Sequence, residues 1–321
     1  MHMLMLSMAS SAVAPDPSIE LKSVEEVAGM QQVAGGKARG SGAARSIVFI
    51  VADDLGFNDV SFHGSPQIPT PALDELAATG LVLDNYHAQP VCSPTRASML
   101  SGRHTIHHGI YMPFSQGSAL RLNLSYTLLP RYLQRLGYAT HAVGKWHLGQ
   151  NELAALPTGR GFDTHYGYWA GAEDYVTCAA HNPLPPLTAS CSLLPPLQPA
   201  PHNHEQVTHV TDGAYDLADG TRTCFAGNGT YSTYLFARRA VQIIEEAAAA
   251  LAPVPFFLYL AFQNVHWPLE APQPYLDRFA NTTGGEARRQ AHRNLPSPIH
   301  LPRKPHRPTR PPACPPTQPL A

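Results

Sequence analysis

Asp53 and Asp54 stand side by side at the end of an apolar run. Two carboxylates at the end of a buried strand are costly unless they are paired or share a cation, and their oxygens suit a hard ion such as Ca²⁺ or Mg²⁺. A polar turn closing the strand is the alternative. Cys92 opens the run Cys92-Ser93-Pro94-Thr95-Arg96-Ala97-Ser98-Met99-Leu100-Ser101-Gly102-Arg103. Pro90 and Pro94 restrict the backbone around it, and residues 95–101 have helical character. The sulfur is therefore expected near a helix N-terminus, where partial positive charge favours an anion. A buried structural thiol and a thiolate nucleophile are the other readings of this cysteine. In Gly144-Lys145-Trp146-His147-Leu148-Gly149, Lys145 and His147 are two apart and face one side of an extended segment. Such a pair suits a sulfate or phosphate ester; a solvated turn is the alternative. His266, in Asn264-Val265-His266-Trp267-Pro268, follows another apolar run, where a single histidine is either structural or catalytic.

The elements that would hold these residues are legible from periodicity. Residues 46–52 (Ser-Ile-Val-Phe-Ile-Val-Ala) form a continuous β-branched apolar run, the pattern of a strand buried on both faces in a parallel sheet. Thr70 followed by Pro71 predicts a helix start with a capping hydroxyl, and Gly80 its stop. Residues 128–136 read as an amphipathic helix, 138–143 as the next strand, 233–251 as a long helix and 256–262 as a second buried strand. Strands alternating with helices predict an α/β domain, and ligands in such sheets gather at the carboxyl ends of the strands. Asp53-Asp54, Lys145-Trp146-His147 and His266 all fall at those ends.

With 321 residues the chain can bury a sizeable core, and its net charge of −1 carries no field that would draw nucleic acid. No apolar run approaches the roughly 20 residues needed to span a bilayer. Residues 1–45 read as a leader or possible signal peptide followed by a Gly/Ala-rich linker, with Ala12-Val13-Ala14 as a small-x-small cleavage site. Three sequons, at Asn123, Asn228 and Asn281, agree with a secreted, periplasmic, extracellular or lysosome-like location. The five cysteines include no C-x-x-C pair; Cys178 and Cys191 could close a small disulfide or remain free. Residues 183–205 are proline-rich and read as an inserted surface loop. Residues 281–321 read as a Pro/Arg-rich tail unable to bury enough apolar surface to order itself.

The segments 50–56, 92–103, 144–149, 159–163 and 258–268 occur here in the order seen in type I sulfatases, within the alkaline phosphatase superfamily. The chain resembles that family from about Ser46 to about Phe279, with arylsulfatase B-like enzymes (N-acetylgalactosamine-4-sulfatases) the nearest likeness. The resemblance implies an alkaline-phosphatase-like fold, a mixed and mostly parallel sheet flanked by helices, with residues 46–280 as the N-terminal part of the catalytic domain. It implies that Cys92 is oxidised to formylglycine by a generating enzyme that reads Cys92, Pro94 and Arg96. The hydrated aldehyde would attack sulfur, release the alcohol and then expel sulfate. Asp53, Asp54 and the oxygen of modified Cys92 would bind Ca²⁺. Arg96 would orient the aldehyde, Lys145 and His266 would contact sulfate or the leaving oxygen, and His147 would assist the final collapse. The substrate would be a sulfated sugar or an aryl sulfate.

One departure bears on activity. The family's metal site also uses a later Asp-Asn pair followed by a lysine, and none follows His266 here; Glu286 is the last acidic residue. The C-terminal part of the fold is accordingly expected to be missing and catalysis impaired. Two other functions fit the same residues: a phosphonate or phosphodiester hydrolase of the same superfamily, and a non-catalytic remnant that binds sulfated glycans.

Overall fold

The computed structural model describes residues 3–5, 44–83, 85–179 and 215–278. The proline-rich segment 183–205, the tail 281–321 and most of the leader lie outside the described residues.

The apolar runs become the centre of a seven-stranded sheet. In chain order its strands are β1 (Met3–Met5), β2 (Ile47–Asp53), β3 (Ala139–Lys145), β4 (Thr164–Tyr168), β5 (Ala218–Asp219), β6 (Arg222–Thr223) and β7 (Phe256–Val265). Their spatial order is β1-β2-β7-β3-β4-β5-β6. The four central strands β2, β7, β3 and β4 run parallel, while β1, β5 and β6 add antiparallel edges. This is the mixed, mostly parallel α/β sheet expected. β7 takes the middle because residues 256–261 are all buried, and burying such side chains stabilises by roughly 1.5–3 kcal/mol each. Only a strand covered on both faces collects that from every residue.

Alternation along β7 divides the core in two. Phe257, Tyr259 and Ala261 pack with Phe49, Val51, Trp146 and Phe162 on one face. Phe256, Leu258 and Leu260 join Tyr166, Tyr168 and Val143 on the other. Helices α1 (Pro71–Thr79), α2 (Cys92–Ser101), α3 (Thr105–His108) and α4 (Leu129–Arg135) follow β2 in the chain, and α2 sends Ala97 and Leu100 into the first core. The long helix α5 (Ser232–Ala249) closes the second face with Leu235, Phe236, Ala240 and Ile243, one stripe of its surface. A short α6 (Gln273–Arg278) follows β7.

Several local expectations need correction. Thr70 precedes α1, but its side chain does not cap the helix backbone. The Thr70 hydroxyl accepts from Ser61 N (2.9 Å) and donates to Asp74 (3.2 Å), because the folded-back turn at Ser61 offers a nearer donor. Gly80 ends the helix in an extended conformation rather than the left-handed one. β7 reaches Val265, three residues beyond the apolar run, since pairing with β2 continues to Asp53. Of the two readings of Cys178, the free thiol holds, and it is fully buried; Cys224 is disulfide-bonded. Met3–Met5 pairs with β2 as an edge strand, a role the leader reading did not anticipate.

Candidate active site at the carboxyl ends of three strands

β2 ends at Asp53, β3 at Lys145, and β7 at Val265, one residue before His266. Because these three strands are adjacent and parallel, their carboxyl ends open on one side of the sheet and the polar residues converge. Close approach at this edge depends on Gly144, whose φ is +97°; a Cβ there would lie 2.0 Å from the Ala261 carbonyl oxygen.

Cys92 is the first residue of α2, so it sits where the helix leaves amide N–H groups without intrahelical partners. Val91 before it is extended, and no side chain caps the end. Pro94 lies within the first turn, where a missing N–H costs nothing. The Thr95 hydroxyl pins the approach by donating to the carbonyls of Gln89 (2.9 Å) and Val91 (2.8 Å).

Asp53 is the electrostatic hub. Its Oδ2 receives Lys145 Nζ at 2.5 Å and Arg96 Nη2 at 3.1 Å, with all three side chains buried. Burial alone would raise the Asp53 carboxyl, but Lys145 and Arg96 outweigh it and hold the pKa below the usual carboxylate range. Arg96 also donates through Nη1 to the Lys145 carbonyl (2.8 Å) and to the Tyr259 hydroxyl (3.2 Å). Its Nε is buried without a hydrogen-bond partner. Asp54, at φ +46°, is exposed. Burial raises its carboxyl, an effect that His266 opposes.

Two histidines flank the cysteine. His147 has φ +57° and is buried. Its backbone is held by His147 N donating to Trp169 O (3.1 Å) and by Ser93 Oγ donating to His147 O (2.9 Å). Its Nε2 lies 2.8 Å from the Phe114 carbonyl, which can only accept, so Nε2 carries the proton and Nδ1 is the acceptor. That Nδ1 is buried and makes no hydrogen bond within ordinary geometry, though the thiol of Cys92 lies close enough to interact with the ring. Burial lowers the His147 pKa. In His266 the Nδ1 lies 2.6 Å from the Trp267 carbonyl, the ring also hydrogen-bonds to Cys92, and the Tyr175 hydroxyl donates to the His266 carbonyl at 2.9 Å. Burial opposes its charge, but the neighbouring Cys92 and Asp53 raise the pKa. The Cys92 thiol is pushed up by burial and pulled down further by Lys145, His147 and His266, to about 4.

Donor atoms of Asp53, Cys92 and His266 lie within 4.8 Å of one another, close enough to share an ion. As a carboxylate, a thiol and an imidazole they are not a calcium set, since Ca²⁺ takes six to eight oxygens. Exchanging the sulfur of residue 92 for oxygen would move the set towards calcium, with Asp54 next in sequence as a further oxygen donor.

All seven residues singled out from the sequence fall at this edge. Others went unnoticed. Tyr259 is one inward position of an apolar strand, and Ser93 is a small residue within the cysteine motif. Asp216 accepts from Trp169 N (3.2 Å) and Ala170 N (2.8 Å), the segment that holds the His147 backbone. Nothing in the local pattern around Asp216 signals that tertiary role.

A mostly parallel α/β sheet with a cysteine heading a helix and cationic groups on the neighbouring strand ends is the arrangement that the resemblance to sulfatases implies. Comparison with known proteins agrees: residues 45–301 match the family model described as Sulfatase, and the chain belongs to the sulfatase family. It is 37% identical over 252 residues to arylsulfatase J of Mus musculus, covering 76% of this chain and 36% of that protein. It is 30% identical over 263 residues to N-acetylgalactosamine-6-sulfatase of Homo sapiens, covering 79% and 45%. The crystal structure of Ps i-CgsB in complex with k-i-k-neocarrahexaose superimposes with a TM-score of 0.58 at 26% identity, covering 76% of this chain and 50% of that one. The chain thus spans less than half the length of these two curated relatives. Among the described residues, no helix is long and apolar enough to cross a membrane.

Proposed function

We propose that this chain carries the reacting residues of a sulfuric ester hydrolase, acting on a sulfated sugar or an aryl sulfate. The observation that carries the proposal is the convergence of Cys92, Asp53, Lys145, His147 and His266 at one sheet edge, with Cys92 at a helix N-terminus.

Residue 92, oxidised to formylglycine by a generating enzyme, would supply paired hydroxyls on one carbon as nucleophile. Bound by Asp53, Asp54 and the residue-92 oxygen, Ca²⁺ would polarise the sulfate and offset its growing charge. Lys145, already fixed by Asp53, places a cation beside residue 92 for the sulfate oxygens. The free Nε of Arg96 is available to orient residue 92. His266, with its raised pKa and its ring beside residue 92, can hand a proton to the leaving oxygen. His147 offers an unprotonated Nδ1 that can take a proton from a hydroxyl at residue 92. On the described residues the calcium ligands are few, so calcium binding and turnover by this chain are expected to be weak. The disulfide at Cys224 favours an oxidising, extracytoplasmic location.

The test is to produce the chain with a formylglycine-generating enzyme, sequence the peptide containing residue 92 by mass spectrometry, and assay sulfate against phosphate esters. Aldehyde at residue 92 with sulfate-selective turnover or binding is expected. An unmodified thiol would defeat the assignment of the nucleophile. Preference for phosphate esters would instead indicate a phosphonate or phosphodiester hydrolase, and binding without turnover, unaffected by Cys92→Ser, a glycan-binding protein.

A further inference from the structure

Two carboxylates meet beside the segment that carries His266. Asp174 lies in the loop after β4, and Glu270 follows β7; both are half-buried, and their side chains are in hydrogen-bonding contact. Three successive amides of one loop are divided between them. Tyr175 N donates to Glu270 Oε2 (3.0 Å), while Val176 N (3.0 Å) and Thr177 N (2.6 Å) donate to Asp174 Oδ1. Two carboxylates so placed repel unless one of them holds a proton. Burial pushes the Glu270 carboxyl up and the Asp174 charge adds to it, to about 7 from 4.5. Burial also acts against Asp174, but the Thr177 and Val176 amides outweigh it and hold that carboxyl down. The proton therefore sits on Glu270, whose O–H donates to the Asp174 carboxylate. The titratable groups around the pair are Glu173, Tyr175 and Cys178 from the same loop, Tyr231 just before α5, and His266 beyond Tyr175. On α6, Tyr275 faces Tyr231 and carries the Arg278 cation over its ring. No cation is among the groups that act on Glu270.

Tyr175 carries this contact to the site. Its amide is held by Glu270, its hydroxyl donates to the His266 carbonyl (2.9 Å), and its buried ring stacks on Tyr231 with centroids 5.3 Å apart. The Tyr231 hydroxyl in turn donates to the Glu270 carbonyl (3.1 Å). The segment 266–270 is thus tied at both ends to the loop that holds Asp174. Loss of the shared proton would set two like charges against each other inside that tie. We propose that Asp174 and Glu270 are positioning residues: one proton shared between them latches the His266 segment to the 174–177 loop and keeps the His266 ring beside residue 92. The latch is closed in acid and opens as the proton leaves. This rests on the role given to His266 above and adds a pH limit to it.

Hydrogen exchange of the whole chain, without substrate, reads the latch. Rates at the Tyr175, Val176, Thr177 and His266 amides, the last of which donates to Gln263 O (2.9 Å), are measured from about pH 5 to pH 8 and divided by the intrinsic rate at each pH. Opening exposes Glu270, which then ionises as an ordinary carboxyl, so protection should fall as pH rises to about 7 and level off above it. A loss of at least about tenfold is expected, in step at all four amides. Glu270→Gln keeps a donor for Asp174 and an acceptor for Tyr175 N but has no proton to lose, and should hold protection level across the range. A carbon-13 titration of the Glu270 carboxyl in the unsubstituted chain decides the matter without any variant: a midpoint near 7 is expected, and one near 4.5 overturns the latch. Protection that does not change with pH, a fall at 175–177 that His266 does not share, or the same fall in Glu270→Gln overturns it too. Each of these leaves the sulfate-ester reading standing. That reading fails separately, on an unmodified thiol at residue 92, a result the exchange rates at these amides do not decide.

Discussion

Replacing Asp53 with asparagine removes one charge from a buried group of three. Its Oδ2 lies 2.5 Å from Lys145 Nζ and 3.1 Å from Arg96 Nη2, with the side chains at most 1% exposed. At an effective dielectric constant of about 20 these separations correspond to attractions of roughly 7 and 5 kcal/mol. Much of that is offset by the cost of taking three charges out of water, and deleting one partner of a buried pair leaves a penalty of about 3–5 kcal/mol. The sign of the residual charge gives a sharper test. In a Cys92→Ser background, which removes the neighbouring thiolate, Asp53→Asn leaves two buried cations facing a neutral amide. Lys145→Met in the same background leaves one cation, Arg96, paired with one carboxylate. The first should therefore lose clearly more stability than the second, although both delete the same contact. Urea unfolding followed by the fluorescence of buried Trp146, in chelator so that ion binding does not contribute, measures both. Equal losses, or an Asp53→Asn penalty below about 1 kcal/mol, would refute the reasoning.

Two further outcomes follow from buried polar groups outside the site. His165 is buried, and burial lowers its pKa to about 4 from 6.5. The unfolded chain then takes up this proton first, so the contribution is complete above about pH 6.5 and is lost as pH falls towards about 4, by up to about 3 kcal/mol. Urea midpoints across that window should decline, and His165→Gln should flatten the decline; an unchanged slope would assign it to other groups. Asp216→Ala strips the acceptor from the amides of Trp169 and Ala170 and should cost about 2–4 kcal/mol. Hydrogen exchange should accelerate at those two amides, and undisturbed protection there would show that Asp216 does not hold the segment.

Much of the fold was legible because apolar runs have few options. Residues 46–52 and 256–262 are too short for buried helices and too uniformly apolar for surface strands, so they read as central parallel strands and prove to be β2 and β7. Element ends were less legible. β7 runs on through Gln263 and Asn264, which no apolar pattern marks, because its partner strand extends that far. The Thr70 hydroxyl leaves the helix end uncapped because its best partner lies nine residues back in a folded turn. The choice between a disulfide and a free thiol at Cys178 needed the fold, because proximity in sequence says nothing about which thiols a core encloses.

For the site, the residue types were a matter of sequence: a cysteine motif at a helix start, a lysine and a histidine two apart, a carboxylate pair and a histidine, each closing a strand. Those features depend on local spacing, and local spacing survives folding. What they do to one another did not follow from it. That Asp53 is shared by Lys145 and Arg96, and that His147 offers Nδ1 rather than Nε2, are consequences of which strands lie side by side. Charges and hydrogen-bonding groups separated by 92 positions, as Asp53 and Lys145 are, meet only when the sheet closes, and burial then sets their energies.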